Sequence, residues 1–78
     1  MNYDLAIMAL EGLTRAPMTI RLEGGEAIIE GEGRSFKELA RLCLLLGGEH
    51  AVADDGIELL PGTHVTKTSP RLRLRLGR

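Results

Sequence analysis

The sequence predicts an α+β fold: two short helices packed on one face of a small, mostly antiparallel sheet of four to six strands, in the order helix, hairpin, helix, hairpin, strand. Three observations predict it. Residues 4–13 are nearly all strong helix formers, two β-compatible runs flank Gly24-Gly25, and a capped apolar run from Ser35 is followed by short segments that end in a strictly alternating Arg71 to Leu76. Helices gathered on one face of a sheet are the packing such a pattern favours.

The first element runs from Asp4 to Leu13, with Gly12 and Pro17 as its stop. Leu5, Ile7, Met8, Leu10 and Leu13 are spread around most of its circumference, so a helix here needs cover on more than one side. A buried strand competes with it, because Tyr3, Leu5, Ile7 and Ala9 also alternate.

Met18 to Glu30 carries the clearest local signal. Gly24-Gly25 suits the positive φ angles of a type I′ turn, which sets Glu23 opposite Glu26, Leu22 opposite Ala27 and Ile20 opposite Ile29. Alternation then puts Ile20, Leu22, Ala27 and Ile29 on a core face, and Arg21, Glu23, Glu26, Ile28 and Glu30 on an acidic outer face.

Ser35 to Glu38 fits a capping box that starts a second helix, Phe36 to about Leu46, ended by Gly47-Gly48. Its expected core stripe is Phe36, Leu39, Ala40, Cys43 and Leu46. Leu44 and Leu45 lie off that stripe, and this surplus predicts a second layer or a second subunit.

Beyond it, Ala51–Ala53 and Ile57–Leu60 are expected to form a hairpin around Asp54-Asp55-Gly56. Thr63–Thr68 reads as extended until Ser69-Pro70. The last strand points Leu72, Leu74 and Leu76 one way and Arg71, Arg73 and Arg75 the other, so residues 69–78 form a basic strand or tail of a single domain spanning 1–78.

Composition bounds the function. Hydrophobic residues make up 44% and charged residues 27%, which is the make-up of a folded chain. The net charge of −1 conceals a split: residues 1–62 hold all 11 acidic residues against five basic ones, whereas residues 63–78 hold Lys67, Arg71, Arg73, Arg75 and Arg78 and no acid. No apolar run approaches the roughly 20 residues that span a bilayer, and no membrane contact is expected. The N-terminal run has Asp4 where a signal peptide wants positive charge, and Cys43 has no disulfide partner, so the chain is expected in the cytoplasm.

Candidate chemistry is sparse. Cys43, His50 and His64 match no metal spacing, Gly31 to Ser35 lacks the lysine of a phosphate loop, and no catalytic set can be assembled from spacing. No cofactor, metal or enzymatic activity is expected. The arginine row, with Arg78, forms a basic face for a partner, and Glu23, Glu26 and Glu30 form an acidic one. These two faces could also pair with each other within one sheet or across a dimer. The expected function is a small protein-interaction module, an adaptor, regulator or inhibitor, that self-associates through Leu44 and Leu45. The alternatives are an accessory nucleic-acid binder using the arginines, favoured less because one Tyr and one Phe leave little to stack on bases, and a subunit of a larger assembly.

Met18 to Leu46, a hairpin followed by a capped helix, together with the Arg/Leu-rich end from Arg71 to Arg78, resembles the order of elements in ubiquitin-like β-grasp proteins. The tail ends Gly77-Arg78 where that family carries diglycine, and the helix before the hairpin is extra. That departure argues against a modifier role.

Overall fold

The computed structural model describes residues 1–77; Arg78, the last member of the expected basic face, lies outside the described residues. The N-terminal run is a helix, α1 (Tyr3–Arg15), which excludes the strand alternative. Asn2 caps it by accepting from the Leu5 N–H at 3.2 Å, while Asp4 and Arg15 sit at the ends that suit their charges. Gly12 does not stop the helix. It lies where the second helix crosses, and a methyl group there would sit 2.7 Å from the Glu38 carboxyl carbon.

Strands β1 (Thr19–Glu23) and β2 (Glu26–Glu30) form the expected hairpin in the expected register, from Thr19 opposite Glu30 to Glu23 opposite Glu26. Gly24 and Gly25 both take positive φ, 54° and 81°.

The second helix, α2 (Gly33–Leu46), starts earlier than the capping box implied. Glu32 is the cap residue and makes no side-chain cap bond; Ser35 lies inside the helix and is fully buried. Its hydroxyl donates to the Ala16 carbonyl at 2.7 Å, so it satisfies a buried acceptor of α1's last turn rather than its own helix start. The buried stripe is also rotated from the expected one. Ser35, Leu42 and Leu46 are inside with Leu39 and Leu45 half-buried, whereas Phe36, Ala40 and Cys43 face outward. Leu39 and Leu46 belong to both stripes; the observed one adds Leu42 and Leu45, on the side where Ser35 reaches the Ala16 carbonyl.

The expected single sheet does not form. Instead β3 (Gly56–Leu59) pairs antiparallel with β4 (Leu72–Arg75), with Ile57 opposite Leu74 and Glu58 opposite Arg73, giving two separate two-stranded sheets. Ala51–Ala53, expected to pair with residues 57–60, is loop. Its one large apolar residue, Val52, stays exposed, while β4 offers β3 alternating leucines and an arginine for Glu58. Asp54 and Asp55 extend the β3–β4 pairing through backbone bonds with Leu76.

Thr63–Thr68 contributes no strand. Only Val65 makes bridges, to Met18 and to Pro61, and through it the loop between β3 and β4 meets the residue just before β1. One core results, with Ala9 and Leu13 of α1, Met18, Leu42, Leu59 and Val65 at its centre. The molecule is a slab of 34 × 28 × 18 Å, and its short dimension is about two layers thick. Among the described residues no helix is long and apolar enough to cross a membrane.

Candidate interaction surfaces

The arginine row lies exposed on β4 as expected, but its partners are local. Arg73 bonds Glu58 directly across the strand pair, and Arg75 lies 2.9 Å from Asp54. The hydrogen bond and charge of Arg73, with Arg71 adding a smaller effect, hold the Glu58 carboxyl below its usual range. Glu23 and Glu30 belong to the other sheet, where Arg21 serves both at 3.3 and 2.9 Å. Among the described residues the acidic and basic faces therefore do not meet. Each satisfies part of its charge at home, in exposed pairs worth little to stability.

The apolar face of the first hairpin is covered only at its base. Ile20 is 4% exposed, whereas Leu22 on the same face is 70% exposed, and Ala27 and Ile29 are also open to solvent. The base is pinned by the loop: the Ile20 N–H donates to Ser69 Oγ at 2.9 Å, and the Thr66 N–H donates to the Met18 carbonyl at 2.8 Å. Beyond Ile20 the hairpin projects, and a groove of about 560 Å³ opens between Leu22 and Thr68–Pro70.

The helix pair carries a second apolar surface. Leu44 is 74% exposed, and Leu5, Arg41, Leu44 and Leu45 line a groove of about 280 Å³ between α1 and α2. Met8, one turn from Leu5, is 65% exposed. Phe36 and Cys43, taken from the sequence as core, lie exposed on another side of α2.

Two polar features were not foreseen. The Asp55 carboxylate accepts from Tyr3 Oη at 2.9 Å and from the Val52 N–H at 3.0 Å, and it lies 3.4 Å from the Met1 ammonium. The Val52 and Tyr3 bonds, in that order, hold its pKa below the usual aspartate value, and the same contact raises that of the Tyr3 phenol. His64 is half-buried with Nδ1 accepting from the Leu60 N–H at 3.1 Å, and burial lowers its pKa. Nothing in an Asp-Asp-Gly turn distinguishes the carboxylate that will gather these donors from the one beside it.

At the start of α2, Arg34 turns to Glu32 at 2.7 Å, and the adjoining groove sets Glu30 and Glu32 beside Arg15 and Arg34, so its charges balance and it offers an anion no net attraction. Among the described residues no three His, Cys, Asp or Glu side chains gather as a metal site. Comparison with protein-family models, with curated proteins and with solved structures gives no match to this chain.

Proposed function

We propose that the protein is a small non-enzymatic interaction module that docks on another protein as an adaptor, regulator or inhibitor and works as a homodimer. The observation that carries this reading is the first hairpin, whose apolar face continues from buried Ile20 to exposed Leu22, Ala27 and Ile29. A face built for burial and left open at its outer end is the pattern of a docking surface. Glu23 and Glu26 at the tip add a polar rim that selects the partner by charge.

Affinity capture from the source cell's extract, run in parallel with wild type and Leu22→Asp, tests it. A partner retained by wild type and lost by the variant, with the variant's melting temperature unchanged, supports hairpin docking. Identical capture profiles for the two proteins would sink it.

A further inference from the structure

The helix pair presents its apolar and charged side chains in an order that fits a second copy of itself. We infer that two chains associate symmetrically, α1 of each lying over α2 of the other. This rests on the proposed homodimeric module and gives its self-association a geometry.

The two helices run in opposite directions. Leu5 shares a groove with Leu44 and Leu45, Gly12 lies against Glu38, and Ala16 against Ser35, which fixes the level of each residue along the pair. On the outer side α1 carries Asp4, Met8, Glu11 and, in its last turn, Arg15 at helical spacing, and α2 carries Lys37, Arg41 and Leu44. Two acids against Arg15 leave the outer face of α1 net acidic, whereas that of α2 is basic. Arg41 is engaged by Glu38, but Asp4, Glu11 and Lys37 have no ion-pair partner among the described residues.

A twofold axis parallel to the helices preserves these levels while laying α1 on the partner's α2. Leu5 and Met8 then meet the partner's Leu44 and the partner's Leu45, and Glu11 comes level with the partner's Lys37. An axis perpendicular to the helices would set the acidic helix against itself and the basic helix against itself, which like charges disfavour. The exposed area leaves room for a second copy. The chain exposes 5201 Å², where a compact monomer of 8.5 kDa is expected to expose about 4,700 Å². The excess of about 500 Å² per chain, in part the projecting hairpin, approaches the lower range of specific interfaces once counted on both sides.

Sedimentation equilibrium of the full chain from micromolar to millimolar concentration tests the geometry, with Leu44→Asp, Glu11→Lys, Lys37→Glu and the double variant Glu11→Lys/Lys37→Glu. The wild type is expected at twice 8.5 kDa. Leu44→Asp should weaken association about a hundredfold or more, and each single charge reversal about tenfold. The double variant should recover to within about threefold of wild type. All three sites are exposed, so each variant is expected to keep its fold, read from its far-UV circular dichroism; should Leu44→Asp lose its fold, the charge-reversal cycle decides alone. A wild type that stays monomeric at millimolar concentration overturns the inference, as does a double variant no tighter than either single one. Leu22→Asp separates this from hairpin docking: it should abolish partner capture while leaving the dimer mass intact, and a failed charge cycle beside intact hairpin-dependent capture rejects only the helix geometry.

Discussion

The Ser35 hydroxyl donates to the Ala16 carbonyl at 2.7 Å in a site where Ser35 is fully buried, tying the first turn of α2 to the end of α1. The bond spans 19 residues and links the two ends of the segment that holds the first hairpin. Removing the hydroxyl leaves a buried carbonyl without its donor. Ser35→Ala is expected to lower the unfolding free energy by about 1–3 kcal/mol, measured by urea denaturation. An unchanged midpoint would mean that water replaces the hydroxyl.

Ile20 and Leu22 share a strand and a face but not an environment. Ile20→Ala should cost about 2–5 kcal/mol, whereas Leu22→Ala should stay within about 0.5 kcal/mol of wild type. Equal losses in paired denaturation curves would show that the outer hairpin is covered in solution.

Stability should fall on acidification in two stages. His64 is held neutral by burial, so the unfolded chain takes up its proton first as the pH drops through the ordinary histidine value of 6.5, and stability declines from there toward the lower folded pKa. Asp55 contributes fully above its ordinary value of 3.8 and loses that contribution as the pH falls through its lowered folded pKa. Thermal melts from pH 8 to pH 2 should show the upper stage flattened in His64→Gln and the lower one reduced in Asp55→Asn, the remainder coming from Glu58, whose folded pKa is lowered in the same direction. A wild-type melting temperature constant between pH 7.5 and pH 5 would contradict the His64 assignment.

The arginine row should bind nucleic acid weakly, because Arg73 and Arg75 are already occupied by Glu58 and Asp54. In fluorescence anisotropy with labelled DNA and RNA, the wild type should show little binding at physiological salt. Asp54→Asn/Glu58→Gln should unmask a steeply salt-dependent association that is lost again when Arg71, Arg73 and Arg75 are replaced by alanine. Tight wild-type binding would favour the nucleic-acid reading over protein docking.

The parts of this fold that depend on neighbours in sequence were legible. The β1–β2 register follows from Gly24-Gly25 and alternation, both local, and the structure reproduces it pair by pair. What depends on distant neighbours was not. Leu59 and its strand could pair with nearby residues 51–53 or distant residues 72–75, and only tertiary packing chooses the second. The inward side of α2 was misjudged because apolar residues surround that helix, so Leu42 and Cys43 offer equally good stripes until α1 covers one of them. Ser35 fits a helix cap and a buried donor alike, and the acceptor that decides, Ala16, belongs to another helix. Leu44 was identified as surplus apolar surface from its place off the expected stripe, and it is exposed. The exposure of Leu22 was hidden, because its strand's alternation is the same whether or not a layer lies above it.

The loop that reaches Met18 through Val65 also sets the order of events during synthesis. Leu13 and Met18 lie in the core beside Leu59 and Val65, residues that leave the ribosome well after α1, the hairpin and α2 are complete. At about 5–20 residues per second, the nascent chain holds those three elements half-covered for a few seconds before residues 57–76 can close over them. During that interval the side chains that end in the core are as open as those on the outer surface, and an early encounter with a chaperone or a second nascent copy meets both.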